Sequence, residues 1–161
     1  MLCVQLLAIA EEMLEGEIAY RRGMFDAAFA RLRAAIALED DLPYDEPWGW
    51  MQPVRHALGA LLLEVGRTAE AEVIYRKDLG LGRALPRAQI HPDNLWALRG
   101  VLDCLERRGE TAEARLIRQR VDFAAARADL PVSVSVSCFC VRDEPPERRR
   151  PQYLELPAAH R

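Results

Sequence analysis

The sequence predicts an all-α protein, a right-handed α-solenoid of about three helix-turn-helix repeats with an extended C-terminal tail. Three segments of the 161-residue chain align with one another, namely RRGMFDAAFARLR, EVGRTAEAEVIYR and RRGETAEARLIRQ. Their glycines, Gly23, Gly66 and Gly109, are each 43 residues from the next. A fixed period of this kind is typical of solenoids, in which every repeat is one supersecondary unit.

Within each repeat the pattern predicts a first helix, a short turn and a second helix. Apolar residues recur at helical spacing on both sides of the glycine, in the second repeat at Leu58, Leu61, Leu62, Ala71, Ile74 and Tyr75. We expect the glycine to adopt the left-handed conformation that ends the first helix. Thr68 and Thr111 are predicted to cap the second helices.

The pattern resembles the tetratricopeptide repeat family. The resemblance lies in the stretches LEGEIAYRRGMFDAAFARLRAAIALED and ALGALLLEVGRTAEAEVIYRKDL, with Gly16 and Gly59 in the first helices and Ala28 and Ala71 in the second. A third copy, LWALRGVLDCLERRGETAEARLIRQRV, departs from the family pattern because its glycine, Gly100, lies two residues early. The resemblance covers about residues 5 to 128.

The 43-residue period is longer than the ~34 residues usual in this family, so each linker carries about nine extra residues. HEAT-like repeats, with periods near 43, are the alternative. The positions of the glycines and alanines favour the tetratricopeptide pattern. The stretches HPDNLWALRG and ADLPVSVSVSCFC also resemble the C-terminal part of long bacterial tetratricopeptide proteins with no established activity. That resemblance implies a fragment of a longer repeat protein.

We predict a helical repeat domain over residues 1–130, with repeats at about 5–40, 47–82 and 92–128. Residues 131–141 alternate between apolar and polar and are expected to lie extended on the last repeat. Residues 142–161 are rich in proline and charge and are predicted to be disordered. The last helix is expected to stop near Asp129, ahead of Pro131.

Composition argues against several classes of protein. The net charge of −3 gives no sign of a nucleic-acid-binding surface. No apolar run approaches the ~20 residues that span a bilayer, so we expect no membrane association. Four cysteines without a secretion signal indicate reduced thiols and a cytoplasmic location.

The sequence offers little for catalysis, and we predict a protein that is not an enzyme and uses no cofactor. His56 and His91 have neither a nucleophile nor an orienting acid at a recognisable spacing. Cys138 and Cys140 form a C-x-C pair, but zinc needs four ligands and no second pair accompanies them. No metal site is therefore predicted, and a thiol or metal role for this pair remains an alternative.

The resemblance implies a protein-interaction scaffold that binds a peptide or partner helix in a concave groove. Carried over to this chain, the groove contains Met13, Glu17, Tyr20, Arg21, His56, Arg99 and Asp103, and Trp50 of the linker before the second repeat is expected at its rim. The alternative is an accessory or regulatory region of a larger enzyme or signalling protein. The apolar first helix has nothing before it to cover its outer face, which predicts possible self-association.

The linker YDEPWGW, Tyr44 to Trp50, is rich in aromatic rings. We expect Tyr44, Trp48 and Trp96 to be wedged between helix pairs and Trp50 to be the most exposed ring. Asp45 or Glu46 is expected to stabilise the start of the next helix.

Overall fold

The structure, a computed structural model, describes residues 2–46, 48–82 and 85–128, in which all regular secondary structure is helical and no strand is present. The helices are α1 (Leu2–Arg21), α2 (Phe25–Asp40), α3 (Val54–Glu64), α4 (Thr68–Asp78), α5 (Leu95–Arg108) and α6 (Thr111–Ala125), with a 3₁₀ turn at Arg87–Gln89. The all-α prediction is confirmed. The last helix ends at Ala125, earlier than the expected stop near Asp129. The predicted extended segment 131–141, the predicted tail 142–161 and the Cys138–Cys140 pair lie outside the described residues.

Helices that follow one another in the chain also pack against one another. The pairs are α1 with α2, α3 with α4, and α5 with α6, and further contacts join α2 to α3, α4 to α5, and α3 to α5. One apolar core runs through all six helices, from Ile9 of α1 to Val121 of α6. None of the described helices is long and apolar enough to cross a membrane.

The three short turns between paired helices share one geometry. Gly23, Gly66 and Gly109 have φ angles of 75°, 82° and 75°, which confirms the predicted left-handed glycines. In each turn the residue after the glycine donates its backbone N–H to a carbonyl five residues earlier, as Arg67 does to Leu62 at 2.8 Å. This is the bonding that terminates a helix at a left-handed glycine. The 43-residue period in the sequence therefore corresponds to a backbone geometry that is repeated at the three turns.

The predicted threonine caps are wrong. The cap positions of α4 and α6 are Arg67 and Glu110, neither of which makes a capping side-chain bond, and Thr68 and Thr111 are the first helical residues. The reason is that the bond from the residue after the glycine back to the preceding helix holds that residue at the cap position. Only one residue then separates the glycine from the next helix.

Tyr75 of α4 lies between two helices that each present a glycine to its ring. A Cβ atom added at Gly59 of α3 would come within 2.5 Å of the ring, and one at Gly100 of α5 within 2.4 Å. Gly16 of α1 instead approaches Leu32, on the helix that pairs with its own. Gly100 thus contacts the helix before it, whereas Gly16 and Gly59 contact the helix that follows them.

Two ion pairs between second helices recur with the same period. Arg33 of α2 binds Glu70 of α4 at 2.9 Å, and Arg76 of α4 binds Glu113 of α6 at 2.8 Å. Each partner lies 43 residues from its counterpart. Exposed pairs of this kind contribute at most about 1 kcal/mol to stability. They indicate that α2, α4 and α6 follow one another with a repeated side-chain arrangement.

Candidate functional site

The two long linkers of the molecule meet beside α3. One joins α2 to α3 and the other joins α4 to α5. The ring of Trp48, in the first linker, meets the ring of His91, in the second, edge-on with 4.6 Å between centroids. The side chain of Gln89 donates a hydrogen bond to the backbone oxygen of Asp40. Described residues of the two linkers are thus brought together beside α3.

Asp78 is the polar centre of this layer. Its carboxylate is fully buried and accepts a hydrogen bond from His56 Nε2 and another from His91 Nδ1, each at 2.8 Å. Its backbone oxygen accepts a third bond, from the N–H of His91 at 2.7 Å. One carboxylate therefore joins α3, the end of α4 and the second linker.

The ionisation of Asp78 depends on these two histidines. Burial alone would raise the pKa of this carboxyl, but the hydrogen bonds from His56 and His91 outweigh it and the pKa is lowered. Asp78 is also the last residue of α4, where the helix dipole disfavours negative charge. A buried acid at the C-terminal end of a helix needs hydrogen-bond donors. An aspartate at the predicted end of the second helix is therefore the sequence signal that could have pointed to this cluster.

The floor of the site consists of residues at the end of α2 and at the start of α3. Arg55, only 4% exposed, donates to Asp40 at 2.6 Å. The carboxylate of Glu39 accepts the N–H of Val54 at the start of α3, at 3.2 and 3.3 Å to its two oxygens. The expectation that Asp45 or Glu46 stabilises this helix start is corrected, because the acid that does so ends the preceding helix.

Glu39 has an unusual proton affinity for a carboxyl group. Burial raises its pKa to about 7, although the Arg55 charge and the Val54 N–H act in the opposite direction. The Arg55 guanidinium already forms an ion pair with Asp40. Its stabilisation of ionised Glu39 therefore does not offset the hydration that Glu39 loses on burial. Near neutral pH this group is therefore divided between its two protonation states.

A cleft of about 80 Å³ opens between the linkers above this floor. Its lining combines aromatic rings with charged and amide side chains: Tyr44, Trp48, Trp50, Glu39, Asp40, Asp45, Arg55, Gln89 and His91, together with Leu42, Pro43, Gly49 and Ala88. Tyr44 is 68% exposed and Trp48 is 45% exposed, so their rings form the rim. Apolar walls with a few placed polar groups are usual in ligand sites, but the cleft is smaller than the ~300–1,000 Å³ typical of pockets for small molecules.

The aromatic residues do not take the positions expected of them. Trp50 packs against the core and is only partly exposed, whereas Tyr44, Trp48 and Trp96 are the exposed rings. The expectation that Trp50 is the exposed ring is wrong, and so is the wedging of the other three. The reason is that Trp50 is closest in sequence to α3 among the rings of its linker, and its side chain packs against the apolar core.

The residues predicted for the concave groove do not come together at this cleft. His56 is buried against Asp78, and Met13 and Tyr20 belong to the core, so the side chains of these three do not line an open groove. The remaining four form two ion pairs along their own helices: Arg21 with Glu17 at 2.7 Å and Arg99 with Asp103 at 3.5 Å. Of the eight predicted binding residues, Trp50 alone lines the cleft.

His91, which lines the cleft, is oriented by Asp78, and none of the described residues lining the cleft is Ser, Thr or Cys. Cys104 lies in the core, and burial raises its pKa to about 12, so its thiol is unreactive. Within the described parts of the chain, no group of three or more His, Cys, Asp or Glu is placed to hold a metal ion.

Comparison of the chain with protein-family models, with curated proteins and with solved structures found no match in any of the three. No family is therefore assigned to the chain, and the resemblance to tetratricopeptide repeats stays a prediction from its residues.

Proposed function

We propose that this protein is an interaction module that holds a partner protein or peptide, built as a tetratricopeptide-like solenoid of three helix pairs in the cytoplasm. The recurrence of the glycine turns and of the Arg33–Glu70 ion pair at one period supports the solenoid. The partner-binding surface in this proposal is the cleft between the two long linkers. The groove positions implied by the resemblance to tetratricopeptide repeats are secondary in this proposal.

One observation carries the functional proposal. The exposed rings of Tyr44 and Trp48 stand at the rim of a cleft whose floor contains a buried arginine, Arg55. Tyr, Trp and Arg are the residues most enriched among the few that dominate binding energy at protein interfaces. A partner segment would cover the rings and remove their apolar surface from water.

The test compares two tryptophans that are equally exposed but differently placed. Trp48 at the rim of the cleft is 45% exposed, and Trp96 at the start of α5 is 44% exposed and lies outside the cleft. Partners are captured on the wild-type chain from an extract of its native host and identified by mass spectrometry. Their affinities for purified wild-type, Trp48→Ala and Trp96→Ala chains are then measured by calorimetry.

We expect Trp48→Ala to weaken binding of a true partner by at least about 30-fold, since truncating a central interface residue costs 2 kcal/mol or more. Trp96→Ala should bind as the wild type does. Equal affinities for all three chains would contradict the proposal for the cleft. Circular dichroism of each variant checks that the helices are retained.

A further inference from the structure

We infer that copies of this chain stack head to tail, with α6 of one copy packed against the outer face of α1 in the next. Inside one copy, the second helix of each pair packs against the first helix of the next pair, α2 on α3 and α4 on α5. Among the described helices, α6 is followed by no such helix and α1 is preceded by none. Since a solenoid buries each repeat against its neighbour, these two end faces are open to another copy. The contact is separate from the cleft between the linkers and does not depend on the proposed function.

The exposed face of α1 occupies positions that are buried in the other first helices. Glu11, Leu14 and Glu15 are all exposed. The residues one and two periods later are all buried, namely Val54, Ala57 and Leu58 in α3 and Ala97, Gly100 and Val101 in α5. Of these, Gly100 meets the ring of Tyr75 in the preceding second helix. The outer face of α1 is thus the face that α5 turns towards α4.

The matching face of α6 contains a hollow of about 260 Å³, lined by Glu106, Gly109, Glu110, Thr111, Ala114, Arg115 and Arg118. One period earlier, Leu63 and Glu72 take the places of Glu106 and Arg115. There α5 docks on them, because Arg107 donates to the Leu63 backbone oxygen at 2.8 Å and Arg108 donates to the Glu72 carboxylate. The hollow at α6 therefore corresponds to the place where a following first helix docks inside the molecule.

The arginines that dock in this way have counterparts in α1 and in the turn that follows it. Arg21 and Arg22 lie two periods before Arg107 and Arg108, and both are exposed. Stacked in the same way, they would approach the hollow of another copy, whose lining includes the acids Glu106 and Glu110. Opposite charges on the two surfaces favour this encounter.

A second charge match lies at the centre of the contact. Arg118 takes the position of Tyr75 and Leu14 takes that of Gly100, so the same helix contact between two copies brings these two side chains together. The aliphatic stem of an arginine can cover a leucine while its guanidinium reaches outward. Glu11 and Glu15, one helical turn apart beside Leu14, form no ion pair with a described residue. They are the acids that the guanidinium of Arg118 would meet.

The same charges disfavour a contact between two like faces. Two α1 faces would bring Glu11 and Glu15 against the same acids of the other copy, and two α6 faces would bring arginines together. A contact between unlike faces avoids this repulsion. It also leaves one face of each kind free at the ends of the assembly, so that further copies can add.

An exchange of charge between the two faces tests the stacking in the full chain. Glu15→Arg and Arg118→Glu are prepared singly and together, and self-association is followed by sedimentation velocity at low ionic strength. The matched controls are Glu64→Arg and Lys77→Glu, which reverse exposed charges on the middle helix pair. Circular dichroism checks that every variant keeps its helices.

We expect each single reversal to raise the dissociation constant of the association at least about 10-fold, because an attraction between copies becomes a repulsion. The chain that carries both reversals should associate to within about 3-fold of the wild type, since the exchanged charges attract each other again. The two controls should associate as the wild type does. Added salt should weaken association of the wild-type chain by screening these charges.

Three results would overturn the stacking. A wild-type chain that is monomeric at every concentration would leave no contact between copies. Association that is weakened by Glu15→Arg but not by Arg118→Glu would assign the α1 face to a surface other than α6. A doubly reversed chain that keeps its helices but does not recover association would show that Glu15 and Arg118 do not meet across copies.

Discussion

At the scale of single residues, the surroundings of two acids shift their pKa values in opposite directions. Asp78 ends a helix, yet it is ionised because two histidines donate to it. Glu39 sits against the start of α3, where a carboxylate is favoured, but burial raises its pKa to about 7. Both acids lie at the junction of the linkers, which marks this junction as the chemically distinct part of the described chain.

Glu39 makes stability depend on pH in a definite direction. Its pKa is about 7 in the folded chain, against an ordinary value of 4.5, so the folded state holds the proton more tightly. Its contribution to stability is therefore present at low pH and is lost as pH rises from about 4.5 to about 7. The resulting loss in the free energy of unfolding is on the order of 3 kcal/mol. A substitution that removes the ionisable group should abolish this loss.

Glu39→Gln tests this, because Gln keeps an oxygen to accept the Val54 N–H. We expect urea unfolding to show the variant gaining stability relative to the wild type between pH 5 and pH 8. Glu15→Gln, at an exposed position of α1, should differ from the wild type by the same amount at both pH values. Parallel stability curves for Glu39→Gln and the wild type would show that the proton affinity of Glu39 is ordinary.

At the scale of helices and turns, the glycines have two separate tasks. Those in the turns take a left-handed conformation that ends each first helix. Gly59 and Gly100 instead make room for the ring of Tyr75, which is buried between α3 and α5. The close packing of these three helices depends on the absence of a side chain at both positions.

Gly100→Ala should therefore destabilise the fold even though alanine is the better helix former by about 1 kcal/mol. The added Cβ would lie 2.4 Å from the Tyr75 ring, and overpacking of a core costs about 1–3 kcal/mol before that gain is subtracted. Thermal unfolding should show a lower midpoint. Gly82→Ala, where an added Cβ meets nothing within 4 Å, is the matched control and should be close to neutral. An unchanged midpoint for Gly100→Ala would mean that α5 is free to move away from Tyr75.

At the scale of the whole molecule, none of the other described helices covers the outer face of α1. Val4, Leu7 and Leu14 are all well exposed on it, which keeps the sequence-based prediction of self-association open. The substitution Leu7→Glu combined with Leu14→Glu should reduce association, because charge would enter an apolar interface. Sedimentation velocity over a range of concentrations measures this.

Val73→Glu provides the control for that experiment, since Val73 is an exposed apolar residue of α4. It should sediment as the wild type does. A wild-type chain that stays monomeric at every concentration would contradict self-association through α1.

How far the sequence predicts this protein differs between the helix pairs and the linkers. The turn glycines and the apolar helix faces follow from contacts within a few residues, so the period was enough to find them. The contact between His56 and Asp78 spans 22 residues, and the bond from Gln89 to the Asp40 backbone spans 49. No local pattern specifies such distant partners. The same limit explains His56, which was assigned to an open groove by register, and Trp50, which was expected to be the exposed ring of its linker. Packing holds both inward.

The sequence by itself determined the all-helical class, the three helix pairs and the left-handed turns, because helix periodicity and glycine conformation are local properties of the chain. Only the tertiary structure decided that described residues of YDEPWGW and of the linker before α5 line one cleft. That outcome depends on how α3 and α4 bring Arg55, Asp78 and their partners together from distant parts of the chain. The stretch that reads as a connector in the sequence is, in the folded molecule, the rim of its candidate binding site.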